Sequence, residues 1–405
     1  MSKRVLVIGH THPESRTTGA GRRMLQLIEA LEQAHFEYHF ATTAQASPYA
    51  DKLPVDRVHT IRLNDPSFDA WIKKLDPQVV IFDRFMTEEQ FGWRVASECP
   101  HAVRILDTED LHFLRKARQD GLLKSPRKDI MFSDLAKREI ASILRSDLSL
   151  IISEFEYDLL QRAFGISTDQ LLYLPFWSGG QRDEVPGFDQ RRDFVVLGSL
   201  LHGPNRDAVA YLSGAIWPEL RSRLPQAELH IFGAYGDGKL AKYHTPEQGI
   251  HLKGWVEDLS EILPRYRVNL CAVRYGAGLK IKLFDAMEFG IPSVSTPIGA
   301  EGIADESEFP GMIAEDEPRF IRSAEQLYND LNAWNKAGNQ AKKLLNDRFS
   351  ADIHSSRFVN RIEQLQNGLE LHRKKNFIIE VLQHQSVQST KYMSKWIEEK
   401  NRNKV

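Results

Sequence analysis

The residues between Arg274 and Glu301 have the types and spacing to hold a phosphorylated ligand. The run RYGAGLKIKLFDAMEFGIPSVSTPIGAEGI follows an apolar stretch, VNLCAV, turns through Gly276 and Gly278, and takes up helical period near Leu279. A glycine-rich turn feeding a helix N-terminus offers unpaired backbone N–H groups and the positive end of the helix dipole, both suited to a phosphate. Charge order is an independent indication. Lys280 and Lys282 fall in the first turn, with Arg274 just upstream, where cations oppose the dipole. An anion bound there resolves the conflict. A plainer reading makes Lys282 and Asp285, at i and i+3, a solvated surface pair worth roughly a few tenths of a kcal/mol. It leaves Arg274 and Lys280 without partners.

A second cluster, Asp107-Thr108-Glu109-Asp110-Leu111-His112, follows the apolar run VRIL. Three carboxylates and an imidazole at the end of a strand can bond a substrate hydroxyl or take up its proton. Alternatively, Asp107 and Asp110 cap a helix beginning near residue 110 and His112 packs beside it. Gly19 and Gly21, in THPESRTTGAGRRM, lie in a loop ahead of a helical stretch. As a dinucleotide fingerprint this G-x-G lacks a correctly spaced third glycine.

Short runs rich in Val and Ile alternate with helical-period segments, the pattern of βα units on a parallel sheet. VLVIG (5–9), VVIF (79–82), VRIL (103–106) and LSLII (148–152) predict strands, with helices over 20–34, 87–98 and 130–145. LPFWSGGQRDEVPGFDQRRD lacks periodicity and marks a linker. The pattern restarts near residue 192 with FVVLGS, ELHIFG, VNLCAV and PSVST. The predicted class is α/β, with two doubly wound Rossmann-like domains, residues 1–178 and 190–350, facing across a cleft. Ligands of such sheets bind beyond the carboxyl ends of the strands. Helices follow from about residue 317. A segment at 351–372 is expected to cross back to the first domain, and 373–405 forms a basic helical tail.

The remaining composition is exclusionary. With 405 residues, 42% hydrophobic and 27% charged, the chain is globular. Fifty-three Lys and Arg against 55 Asp and Glu give a net charge of -2, so no global field attracts nucleic acid. Cys99 and Cys271 make neither a disulfide framework nor a metal-ligand spacing, consistent with a reducing compartment. The first apolar run is too short for a signal h-region, and no stretch approaches the ~18 apolar residues of a membrane span. A cytoplasmic protein is expected. The tail, with Lys391, Lys395, Lys400, Arg402 and Lys404 beside Tyr392, Met393 and Trp396, is either a peripheral contact with the inner membrane face or a packed helix with a solvated basic side.

Asp285-Ala286-Met287-Glu288-Phe289-Gly290-Ile291-Pro292, Ser293 to Thr296 and Gly299-Ala300-Glu301-Gly302 resemble the E-A-M-A-x-G-x-P-V-V-x-T element and following loop of glycosyltransferase family 4 (group 1) enzymes of the GT-B fold. Gly198 to Val209, GSLLHGPNRDAV, resembles a second motif in one branch of that family, and the Asp107 to Arg115 run resembles that branch's D-T-x-D-L-H-x-L-R. The resemblance covers nearly all of 190–305. It implies transfer of a sugar from a nucleotide-diphosphate donor to a hydroxyl on a glycan, lipid-linked or protein acceptor, with retention of configuration. It implies no cofactor and no metal, also for the Asp107 cluster, and a place in cell-surface polysaccharide or glycoconjugate synthesis. Asp285 then takes the place of a ribose-binding glutamate. Arg274, Lys280 and the backbone of Gly278 and Leu279 neutralise the diphosphate, and Glu301 faces the donor sugar. Asp107, Asp110 and His112 are the catalytic candidates; Gly19 and Gly21 lie near the acceptor and leaving phosphate.

Two departures stand out. Counting back eight from Asp285 lands on Ala277, where many members have a second glutamate, and Ser199 and Pro204 replace an Arg and a Lys. A nucleotide-sugar epimerase and a non-catalytic protein binding glycans or a partner remain as alternatives.

Overall fold

A computed structural model describes residues 3–123, 130–182, 184–236, 240–385 and 387–402. Strands β1 (Lys3–Gly9), β2 (Phe36–Thr42), β3 (Val58–Thr60), β4 (Val79–Asp83), β5 (Val103–Asp107), β6 (Leu148–Ile151) and β7 (Leu171–Tyr173) alternate with helices α1 (Gly19–Gln33), α2 (Ser67–Leu75), α3 (Phe85–Glu98), α4 (His112–Leu123), α5 (Asp134–Arg145) and α6 (Glu154–Phe164). The strands pair in parallel in the order β3-β2-β1-β4-β5-β6-β7. Both faces are covered, which is why the central strands are continuous apolar runs. Leu6, Val80 and Leu106 pack under α2, α3 and α5 on one face, while Val5, Val7 and Val103 pack under α1 on the other.

The second domain repeats the design. Its strands are β8 (Arg192–Leu197), β9 (Leu229–Phe232), β10 (Ile250–Gly254), β11 (Tyr266–Cys271), β12 (Ser293–Ser295) and β13 (Gly311–Ile313), all parallel in the order β10-β9-β8-β11-β12-β13. Its helices are α7 (Gly203–Tyr211), α8 (Trp217–Arg223), α9 (Ile281–Glu288), α10 (Pro297–Ala300), α11 (Glu317–Asn329) and α12 (Leu331–Asp347).

The chain returns through α13 (Ala351–Lys375), whose Phe358, Ile362 and Leu365 enter the apolar layer formed by Val5, Leu27 and Leu31. The two crossings between domains touch: Ser178 N donates to the Phe349 carbonyl at 2.8 Å and Ala351 N to the Ser178 carbonyl at 3.1 Å. Helices α14 (Ile378–Gln385) and α15 (Val387–Arg402) then dock on the first domain. Arg373 holds Asp147 through two bonds of 2.8 Å, Gln383 donates to the Arg145 carbonyl, and Glu398 pairs with Arg94. Tyr392, Met393 and Trp396 face outward, each at least 60% exposed. Lys404 lies outside the described residues. Among the described residues, no helix is long and apolar enough to cross a membrane.

Candidate functional site

The carboxyl ends of both sheets face the inter-domain cleft, where a cavity of about 380 Å³ opens. The turns after β8 (Gly198, Ser199), β9 (Gly233, Ala234) and β10 (Trp255, Val256) form one wall, with Lys282, Asp285 and Glu288 of α9 and Phe289 just after it. Residues 15–18 and Arg22 of the first domain close it. A Cβ on Gly233 would lie 2.0 Å from the Gly198 carbonyl oxygen, so the first two turns meet only because residue 233 is glycine.

Gly278 is required on two counts. Its φ is +63°, and a Cβ would come within 2.8 Å of Ile152 and 2.9 Å of Asp110 across the domain boundary. Its N–H donates to Glu156 Oε1 at 2.8 Å, and the Leu111 N–H donates to the same oxygen at 3.1 Å. A carboxylate of α6 therefore holds the amide expected to meet phosphate. Burial, with Asp110 adding to it, lifts Glu156 to about 7. Leu279 is buried against Ile152 and Leu283.

The two lysines diverge. Lys280 Nζ folds back on its own turn, donating to the carbonyls of Gly278 at 2.6 Å and Ala277 at 3.2 Å. Lys282 lines the cavity and donates to Asn205 Oδ1 at 2.6 Å. The surface pair of Lys282 with Asp285 does not form. Instead, Asp285 accepts from Arg22 Nη1 at 2.7 Å, and the other arm of Arg22 takes Glu288. Burial raises the Asp285 carboxyl to about 6 despite Arg22.

Arg274 is a correction. It turns away from the cavity, held by both oxygens of Asp207 at 2.9 and 2.5 Å and stacked 4.6 Å above Tyr211. Glu301 is gripped by Arg118 of α4 at 2.8 and 2.7 Å, and Arg118 also donates to the Gly276 carbonyl. Arg22 and Arg118 thus tie the first domain to carboxylates of the second.

Asp107 is a second correction. It lies beneath the cleft rather than at its mouth: fully buried, it accepts from Arg23 Nε at 2.8 and 3.0 Å, while Arg23 also donates to the Leu174 carbonyl. Capping of α4 falls to neither Asp107 nor Asp110. Glu139 accepts from the N–H groups of His112 at 3.0 Å and Phe113 at 2.9 Å, and burial lifts it to about 8.

Asp110 and His112 do come together. His112 Nε2 lies 3.4 Å from Asp110 Oδ1, and Arg115 also pairs with Asp110. Burial would raise Asp110, but Arg115 together with His112 and His202 outweighs it and draws the carboxyl to about 2. Burial lowers His112 to about 4, and His202, from the turn before α7, likewise to about 4. Both imidazoles, with Arg115, Gln119 and Tyr275, line a second inter-domain cavity of about 310 Å³. At neutral pH it presents two uncharged imidazoles over an ionised carboxylate. Such a site can accept a hydrogen bond or proton from a hydroxyl.

Gly21 N–H donates to Thr18 Oγ1 at 3.0 Å as part of the α1 cap, and a Cβ on Gly19 would rest 3.4 Å from Ile281. Gly19 thus faces α9, whereas a Cβ on Gly21 would meet the Glu14 backbone at 2.3 Å, so that glycine shapes its own loop. Arg22, Arg118, Glu156 and His202 were not identified from sequence; only the adjacency of Arg22 to the glycine loop, and of His202 to Gly198, pointed toward the cleft.

The model of a family described as glycosyl transferases group 1 matches residues 191–330. No curated protein sequence matches the chain. Among solved structures, the chain is similar to sucrose-phosphate synthase from Thermosynechococcus elongatus, with a TM-score of 0.68 and 14% identity over 90% of this chain and 99% of that one. It is also similar to HepE of Anabaena in complex with UDP and glucose, with a TM-score of 0.64 and 10% identity over 90% of this chain and 100% of that one. WaaG, a glycosyltransferase involved in lipopolysaccharide biosynthesis, gives a TM-score of 0.61 and 12% identity over 87% and 98%. At these identities the likeness defines the fold, which is GT-B.

Proposed function

We propose that the protein is a glycosyltransferase that moves a sugar from a nucleotide-diphosphate donor to a hydroxyl acceptor, with retention, in cell-surface polysaccharide or glycoconjugate assembly. The observation that carries this reading is the larger of the two inter-domain cavities. Apolar walls at Trp255, Val256 and Phe289 suit a base, Asp285 and Glu288 suit ribose hydroxyls, and Lys282 lies where a diphosphate would follow. The match of residues 191–330 to the group 1 model supports it, and the UDP and glucose bound by HepE fit a ligand of this chemistry.

The chemistry is electrostatic and positional. As the bond to the leaving diphosphate lengthens, Lys282 and the positive end of α9 stabilise the developing charge. Asp110, His112 and His202 align the acceptor hydroxyl and receive its hydrogen bond. Lys282 and the helix end supply the positive charge that a divalent ion would otherwise bring, so the proposed transfer needs neither metal nor cofactor. Nucleotide binding would exchange Arg22 for ribose at Asp285, coupling donor arrival to domain movement. The row Tyr392, Met393 and Trp396, with basic neighbours, favours peripheral contact with an anionic membrane, from which a lipid-linked acceptor could be presented.

Thermal shifts with UDP, GDP, TDP and ADP test the donor site, because a nucleotide stabilises by RT ln(1 + [L]/Kd) and the cognate one does so most. Nucleotide release that requires acceptor identifies transfer. Release without acceptor identifies epimerisation, and binding without release a non-catalytic protein.

A further inference from the structure

Three side chains with metal-binding chemistry converge on the edge of the second sheet. His230 on β9 and His251 on β10 are directly paired across the strands, so both imidazoles stand on one face. Glu228, just before β9, reaches them both: its Oε2 lies 2.9 Å from His230 Nε2 and its Oε1 3.4 Å from His251 Nε2. The three donor atoms lie within 4.8 Å of one another. Donors in a tetrahedral site with bonds of about 2.0–2.2 Å stand roughly 3.3–3.6 Å apart. Small side-chain rotations would suffice.

The surroundings point to a ligand. Phe232 and Tyr266 flank the pair, with Lys253 and Asp193 near His230, and His251 Nε2 is buried with no hydrogen bond closer than the 3.4 Å approach of Glu228 Oε1. Leaving a polar atom so placed costs stability unless something binds it. Tyr266 Oη lies 2.7 Å from His230 Nδ1, an outer hydrogen bond of the kind that orients metal-bound imidazoles. Glu228 is 42% exposed, which leaves a coordination position open to water.

We propose that Glu228, His230 and His251 bind a divalent first-row transition ion, with Zn²⁺ the best fit and water completing its shell. Two imidazoles and one carboxylate suit Zn²⁺, whereas Mg²⁺ and Ca²⁺ take oxygen donors. The ion pins edge strand β10, whose register with β9 shifts between Leu252 and Gly254, immediately before Trp255 joins the cavity wall. It is a clamp behind that wall, outside the transfer step.

The test uses tag-free full-length protein stripped with chelator, then titrated with ZnCl₂ by calorimetry and with CoCl₂ by visible absorption. The expected result is one ion per chain, a Co²⁺ spectrum of low coordination number that Zn²⁺ erases, and a melting temperature that rises with Zn²⁺. Glu228→Gln, at an exposed position, and His251→Gln should each weaken Zn²⁺ binding at least tenfold and abolish the thermal shift. Absence of saturable binding by the wild type, or wild-type affinity in either variant, would overturn the proposal.

Discussion

Lys282→Met separates Lys282 from Lys280, the lysine to which the family resemblance gives the diphosphate. Lys282 lines the cavity and its side chain is largely buried, with Asn205 as its hydrogen-bond partner. A charge-assisted contact from such a group to a diphosphate is worth about 1.5–3 kcal/mol. Lys282→Met should therefore weaken nucleoside-diphosphate binding by about 10- to 150-fold, with nucleoside affinity unchanged. Lys280→Met should act differently, because that ammonium ties down the carbonyls of Ala277 and Gly278. Leaving them unsatisfied costs about 1–3 kcal/mol of fold stability, with no discrimination between nucleoside and nucleotide among folded molecules. Calorimetry with both ligands measures the difference, and melting without ligand corrects for the partner lost to Asn205. If Lys282→Met binds the diphosphate as wild type does, or loses nucleoside and nucleotide equally, the assignment of Lys282 to the leaving group is wrong.

Asp107→Ala strands Arg23 in a fully buried site, so calorimetric unfolding should show a loss of about 3–5 kcal/mol, while nucleotide Kd in the folded fraction stays at the wild-type value. His112, at about 4 when folded and 6.5 otherwise, gives stability that is complete above pH 6.5 and lost as pH falls through 4, at most about 3 kcal/mol; denaturant melts from pH 7 to 4 should flatten in His112→Asn. Tyr392→Ser with Trp396→Ser should reduce flotation with anionic vesicles while leaving the melting temperature intact, and equal flotation would remove the membrane contact. Initial transfer rates should persist in EDTA at 25 °C; loss restored by Mg²⁺ or Mn²⁺ would contradict a metal-free step.

The fold was legible because buried parallel strands leave continuous apolar runs. VVIF and VRIL mark β4 and β5 closely. Strands that depart from that rule escaped: β2, FEYHFAT, mixes Glu37 and His39 into its run, β10 carries His251 and Lys253 at a sheet edge, and β13 is three residues long. At the site, glycines and charge order located the phosphate-binding stretch, since both act locally. Which cation faces the ligand depends on distant partners. Asn205 orients Lys282 from 77 residues away, Asp207 captures Arg274 from 67, and Arg22 reaches Asp285 across 263. The Glu228, His230 and His251 group needed the register of two strands before it existed at all.

The return of α13 also reverses the order in which the chain can finish its domains. Residues 191–348 contain the whole second sheet and its helices, so that domain can close as soon as α12 has been synthesised. The first domain, begun at β1, lacks Phe358, Ile362 and Leu365 over Val5, Leu27 and Leu31 until α13 emerges. During vectorial synthesis the usual N-terminal-first sequence is therefore inverted, and the earlier-made half waits with an apolar layer uncovered. A chain stopped near residue 350 would carry a finished second domain beside a first one whose Val5, Leu27 and Leu31 layer has lost its cover.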